Sequence, residues 1–224
     1  MPRGSRGRSD RPAAAARRPP PDDYFMGIAY AVRERANCLG FKVGAIVVLD
    51  GRVVSTGYNG TPEHMLNCDE GGCVRCAERA RPEGSAPRFQ SGTGYDVCIC
   101  VHAEQNALLA AARFGIPVAG AQIYTTIQPC FGCLKEMVQA HIEGVRYRHP
   151  WTHPDSTLKP QYEMLKTRFA QGVKQIFTPD PCEAWALGRG PRSPKAAEIA
   201  KIAKIAKKNN FMCSATVSPN RRMI

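Results

Sequence analysis

Val101-His102-Ala103-Glu104 and, further on, Gln128-Pro129-Cys130-Phe131-Gly132-Cys133 are the stretches whose reading decides the fold of this chain. His102, Cys130 and Cys133 supply one nitrogen and two sulfurs. That set suits Zn²⁺, and three protein ligands leave a fourth tetrahedral position open to water. Both stretches fall where a strand or loop gives way to a predicted helix. A helix N-terminus presents unpaired N–H groups and a partial positive charge, which favours the thiolate form of Cys130. Cys133, three residues on, points to the same side. Pro129 is tolerated at the helix edge because its missing N–H would be unpaired there anyway. Glu104, two residues past the histidine, can lie beside a metal without binding it.

Working outward, Tyr24, Phe25, Ile28, Ala29 and Val32 share one face of a helix that Asp22 or Asp23 can cap and that runs to about Asn37. Val43 to Leu49 is a β-branched apolar run, Asp50-Gly51 is a two-residue hairpin signal, and Val53 to Tyr58 returns as the second strand. Asn59-Gly60-Thr61-Pro62 is a turn that exposes backbone and the Asn59 amide. His102 opens a helix to about Phe114, with Ala103, Ala107, Leu108 and Ala111 on its buried side. Gln122 to Thr126 is a strand, Cys130 to His141 a helix, Val145 to Tyr147 a strand, 159–170 a helix and Val173 to Phe177 a last strand. Strands alternating with helices predict an α/β layered sheet with helices on both faces.

The net charge of +12 is carried by the ends of the chain. Residues 1–21 hold six Arg against one Asp, and residues 189–224 hold nine Lys or Arg against one Glu, so residues 22–188 are left with a net charge of −1. A nucleic-acid binder is expected to show a basic stripe on a folded face, and the sequence shows none. Residues 1–21 lack the large apolar side chains needed to offset chain entropy and read as a disordered Arg/Pro/Ala-rich tail. Their Arg-rich, acid-poor character also allows organellar or nuclear targeting, against a cytoplasmic location as the plain reading. Residues 181–224 read as a basic tail with little order, leaving 22–180 as the domain. No run is long and apolar enough to predict a membrane helix.

Residues 63–100 form an irregular, Gly- and Cys-rich insertion, and a loop this long is usually functional or clamped. Cys68, Cys73, Cys76, Cys98 and Cys100 crowd into 33 residues. Four thiolates on a structural Zn²⁺ would tie this segment down. Cys68, Cys73, Cys76 and Cys98 are the favoured set, with Cys100 open to exchange with Cys98. Cys38, Cys182 and Cys213 read as free core thiols.

The pattern H-x-E…P-C-x-x-C resembles the signature of the cytidine deaminase superfamily. The flanks Gly57-Tyr58-Asn59-Gly60-Thr61-Pro62 and Glu104-Gln105-Asn106-Ala107-Leu108 look most like its deoxycytidylate (dCMP) deaminase branch. The resemblance covers roughly Asp23 to Phe177. It implies a three-layer α/β/α fold around a mostly mixed five-stranded sheet. It implies a zinc-dependent hydrolase that converts dCMP to dUMP with release of ammonia, feeding thymidylate synthesis. Its ligands would be His102, Cys130 and Cys133, and its proton shuttle Glu104. By the same resemblance Asn59 contacts the sugar and the Ala103 backbone addresses the base carbonyl. Tyr124, on the strand before the cysteines, reads either as a residue packing near the base or as a buried core tyrosine. A second, structural zinc, a homo-oligomer and regulation by dCTP and dTTP are expected partners of this reading. The segment Arg148-His149-Pro150-Trp151-Thr152-His153 departs from the family's acidic, serine-containing pattern, so the phosphate site is not legible. The alternative is a deaminase of cytosine or adenine in RNA or DNA, with the basic tails aiding capture.

Overall fold

In a computed structural model, which describes residues 18–78, 86, 88 and 98–189, five strands form one sheet in the order β2-β1-β3-β4-β5. The strands are β1 (Gly44–Leu49), β2 (Arg52–Tyr58), β3 (Gln122–Ile127), β4 (Gly144–His149) and β5 (Gly172–Gln175). The helices are α1 (Pro21–Arg33), α2 (Val74–Ala77), α3 (Ala103–Arg113), α4 (Phe131–Gln139), α5 (Lys159–Lys166) and α6 (Glu183–Ala186). β1 runs antiparallel to both β2 and β3, while β3, β4 and β5 are parallel. The mixed five-stranded sheet and its flanking helices are those the sequence predicts. Asp50 and Gly51 both take positive φ, as the tight turn between β1 and β2 requires.

Strand alternation divides the core in two. Ile46, Val48 and Tyr124 meet Phe25, Met26, Ala29 and Tyr30 of α1 on one face. Val47, Ile123 and Val145 meet Ala107 of α3, Leu134 and Met137 of α4 and Tyr162 of α5 on the other. Two glycines in adjacent strands set how closely the layers approach. A Cβ on Gly44 would overlap the Ala29 carbonyl oxygen in α1, and one on Gly57 would overlap the Ala103 carbonyl oxygen in α3.

Helix α1 begins at Pro21, one residue ahead of the expected acidic caps. Asp22 and Asp23 instead accept hydrogen bonds from the Tyr124 and Thr178 hydroxyls, both at 2.7 Å. The expected domain boundary near Asp180 falls inside packed chain. The Cys182 N–H donates to Asp180, and the Lys42 N–H donates to the Ala186 carbonyl. Residues 181–189 therefore belong to the folded body. Residues 1–17 and 190–224, which include Cys213, lie outside the described residues. Among the described residues no helix is long and apolar enough to cross a membrane.

Asp180 is the clasp of this C-terminal stretch. Its fully buried carboxylate receives both guanidinium N–H groups of buried Arg33 at 2.7 Å and lies 2.7 Å from His149 Nε2 on β4. Arg33 also lies over the Tyr30 ring, whose hydroxyl donates to the Thr178 carbonyl. Burial would raise the Asp180 carboxyl, but hydrogen bonds from Arg33, His149 and the Cys182 N–H outweigh it and hold the group below the ordinary range. Such a depressed carboxyl stabilises the fold fully above its unfolded value and loses that contribution as pH falls through the folded one. Asp180→Ala should cost about 3–5 kcal/mol at pH 7 by leaving Arg33 buried and unpaired. In urea unfolding, its deficit against wild type should shrink as pH drops below about 3.9.

Candidate active site

His102 is the residue immediately before α3, and Cys130 the residue immediately before α4. The His102 N–H donates to Gln105 Oε1 at 3.0 Å, and Gln105 Nε2 donates in turn to Glu136 Oε1 at 2.8 Å. That pair of bonds ties the start of α3 to the body of α4. Ahead of His102, Val101 exchanges backbone hydrogen bonds with Gly60, which pins the histidine to the end of β2. On the other side, the Tyr162 hydroxyl donates to the Pro129 carbonyl at 2.6 Å and accepts from Gln128 at 2.9 Å. Helix α5 thus buttresses the loop that carries the two cysteines.

The result is a compact donor set. His102 Nδ1 lies 3.4 Å from each sulfur, and the Cys130 and Cys133 sulfurs are 3.6 Å apart. Tetrahedral zinc with Zn–S of about 2.3 Å and Zn–N of about 2.0 Å needs donor separations of roughly 3.5–3.8 Å, so this triad fits the ion. Cys130 is the thiol held below its ordinary value, chiefly by its hydrogen bond to Cys133, against burial, with His102 adding to the lowering. The His102 ring is pushed up to about 9, first by its hydrogen bond to Cys130.

Glu104 is 4% exposed and reaches toward the triad, its Oε2 lying 3.6 Å from Cys133 Sγ. Its Oε1 accepts from the Thr125 hydroxyl at 2.8 Å. Burial pushes the Glu104 carboxyl up, and His102 and Thr125 draw it back toward the ionised form. A carboxyl balanced in this way can both take and return a proton.

One cavity joins these groups. Asn59, Arg75, Ala103, Ile127, Gln128 and Trp151 line it together with His102, Glu104, Cys130 and one edge of the cysteine-rich segment. Asn59 is not the exposed turn residue the sequence suggests. It is buried, accepts from the Val43 N–H at 2.8 Å and donates to the Phe41 carbonyl at 2.7 Å. The turn can hide it because Phe41 and Val43 offer the backbone partners its amide needs. Ala103, first residue of α3, sits at the cavity with a backbone N–H of the helix's unpaired first turn.

Tyr124 does not reach the site. Side chains alternate along β3, so Tyr124 faces α1, packs on Phe25 and donates to Asp22, while its neighbour Thr125 faces Glu104. Thr125, Arg75 and Trp151 are site residues that the sequence reading missed. A threonine on the apolar face of β3, one residue out of phase with Tyr124, was the signal available for the first.

The expected set Cys68, Cys73, Cys76 and Cys98 is not a closed group. Cys68 lies with Cys38, Cys76 and Cys100, whereas Cys73 and Cys98 lie with Cys76 and Cys100. Cys38, expected as a free thiol, joins the cluster because the chain leaving α1 turns back under residues 67–76. Its sulfur is 3.7 Å from that of Cys76.

Comparison with known proteins agrees with this geometry. The profile of the cytidine and deoxycytidylate deaminase zinc-binding region matches residues 19–148. A deoxycytidylate deaminase of Saccharomyces cerevisiae is 37% identical over 142 residues, 63% of this chain and 42% of the relative. One of Mycobacterium phage D29 is 41% identical over 131 residues, 58% of this chain and 95% of the relative. The chain thus spans only about two fifths of the yeast protein's length but nearly all of the phage protein's. Among solved structures, the dCMP deaminase from cyanophage S-TIM5 in complex with dCMP and dUMP superposes with a TM-score of 0.50 at 27% identity, covering 69% of this chain and 95% of that one. This chain belongs to the zinc-binding family of cytidine and deoxycytidylate deaminases.

Proposed function

We propose that the chain hydrolyses dCMP to dUMP and ammonia. The observation that carries this reading is the buried Glu104 carboxylate beside a three-donor cluster, opening on a cavity that also holds Asn59 and Arg75. The deaminase of phage D29, matched over 95% of its length, and the cyanophage enzyme seen with dCMP and dUMP support the substrate.

His102 Nδ1 and the sulfurs of Cys130 and Cys133 are the groups that would hold zinc, whose contribution when bound is Lewis acidity that makes water a nucleophile near neutral pH. Glu104 takes a proton from the attacking water and delivers it to the ring nitrogen N3 as oxygen adds to C4 of cytosine. Transfer of a further proton through Glu104 to the amine lets the C4–N bond break, so water and cytosine become uracil and ammonia. Thr125 orients the carboxylate for both transfers through the bond to Oε1. Asn59, held by Phe41 and Val43, presents its amide to the sugar, and the first N–H groups of α3 face the base carbonyl. Arg75, partly buried on α2, is the cationic side chain placed to receive the 5′-phosphate.

The cysteine cluster holds structural zinc in the same reading, and it forms the cavity wall from which Arg75 projects. A cytoplasmic location fits nine described cysteines with none in a disulfide. A homo-oligomer and control by dCTP and dTTP enter the proposal through the family resemblance.

Ammonia release from dCMP, CMP, deoxycytidine and single-stranded DNA tests the substrate. dCMP should be turned over best, and a preference for the oligonucleotide or the nucleoside would refute the reading. Glu104→Gln should keep zinc and fold yet lose about 10²–10⁴-fold or more in kcat. Near-normal turnover in the zinc-loaded variant would remove Glu104 from the mechanism. Arg75→Ala should raise KM for dCMP about 10- to 100-fold, the worth of a hydrogen bond to a charged group, and leave deoxycytidine kinetics unchanged.

A further inference from the structure

Six cysteines from four pieces of chain meet at one corner of the molecule. Cys38 comes from the segment after α1, Cys68 from a 3₁₀ turn over Cys68–Glu70, Cys73 and Cys76 from α2 and the residue before it, and Cys98 and Cys100 from the segment leading to His102. All but Cys98 are buried. The sulfurs of Cys38, Cys68, Cys76 and Cys100 lie within 4.8 Å of one another, and so do those of Cys73, Cys76, Cys98 and Cys100. The two tetrads share Cys76 and Cys100.

We propose that this cluster is a dinuclear thiolate centre, in which two zinc ions are each held by four sulfurs and Cys76 and Cys100 bridge them. The separations between sulfurs favour metal over oxidation. Cys38 and Cys76 are 3.7 Å apart, Cys73 and Cys98 3.8 Å, Cys76 and Cys98 3.6 Å, and Cys76 and Cys100 3.9 Å. The edge of a zinc–sulfur tetrahedron is about 3.8 Å at a Zn–S length of about 2.3 Å, whereas a disulfide requires about 2.05 Å. A single ion would satisfy one tetrad and leave two more thiols packed against it with no partner of their own. Two ions use all six sulfurs, give each metal four ligands and account for the shared pair. An iron–sulfur cluster would take four cysteines and would leave the same two unused.

The surrounding backbone is arranged for negative sulfur. The Leu39 N–H donates to Cys68 Sγ and the Gly40 N–H to Cys38 Sγ, both at 3.3 Å. Such N–H donors from outside the ligand set steady thiolate charge and fix ligand orientation. Both donors come from the chain after α1, so the centre ties the cysteine-rich segment to the body of the fold. Cys38, Cys76, Cys98 and Cys100 also line the active-site cavity, which gives the centre a place in building the pocket wall. The inference rests on the metal-binding reading of the cluster and is independent of the substrate.

The test is metal content and connectivity of the full chain. Native mass spectrometry and elemental analysis of zinc-replete protein should give three zinc ions per chain, two in this cluster and one at His102, Cys130 and Cys133. Replacement of zinc by ¹¹³Cd should give two tetrathiolate resonances split by mutual coupling through the shared sulfurs, and a third, uncoupled signal from the mixed nitrogen–sulfur site. Cys68→Ser and Cys73→Ser should each lose one ion, and Cys76→Ser should lose two. One tetrathiolate resonance, two without mutual coupling, or none would overturn the proposal, and the wild-type spectrum decides even where a variant fails to fold. Failure of the catalytic metal site would be distinct, since it removes the third signal and leaves the coupled pair.

Discussion

The contact on which the site depends is the seating of α3 against β2. Gly57 has no side chain, so the first turn of α3 rests its Ala103 carbonyl where a Cβ would otherwise stand. Ser55 then donates to the Ala107 carbonyl and Asn106 to the Tyr58 carbonyl, each at 2.7 Å. These bonds hold the helix at a depth from which Glu104 can reach across to Thr125 on β3. A helix seated further out would leave His102 at the end of a loose loop and Glu104 short of its hydroxyl partner. The glycine in the Gly57-Tyr58-Asn59-Gly60 stretch therefore acts through close packing, while Asn59 and Gly60 do the work of the turn.

The electrostatics follow from that placement. A buried carboxyl beside two thiols is costly unless cationic or hydrogen-bonding groups offset it. Here the offsetting groups are the N-terminal turns of two helices, the His102 ring and the Thr125 hydroxyl. The hydrogen bond with Cys133 and the His102 ring draw Cys130 toward the thiolate, while burial pushes Glu104 toward its protonated form against His102 and Thr125. Neighbouring acidic groups with opposed tendencies are what a site needs if one is to bind a cation and the other to carry protons.

Much of this was legible in the sequence because the informative spacings are short. His102 and Glu104 are two residues apart, Cys130 and Cys133 three, and the β1–β2 turn is two residues long. Each lies within one helical turn or one hairpin, so local geometry fixes the outcome. What stayed hidden depends on distant chain. Asp180 meets Arg33 across 147 residues, Thr125 meets Glu104 across 21 with a strand's phase deciding the side, and Cys38 meets Cys76 across 38. Tyr124 shows the hazard of reading a strand without its phase, since a shift of one position separates the active-site face from the α1 face. The C-terminal boundary misled in another way. Residues 181–224 read as one poorly ordered tail, yet α6 and its packing keep residues 181–189 with the folded body.

The paired backbone bonds between Gly60 and Val101 close the excursion of residues 61–100 at its neck. The chain leaves the sheet and returns to it at the same place, so the length of what lies between is uncoupled from the position of His102. Closing a longer excursion costs only about 0.6 kcal/mol for each doubling of its length. Loop closure thus sets little limit on the length of this segment, and the limit comes from Arg75 and the cysteines that line the cavity, so insertions and deletions are cheapest where they leave those residues in place.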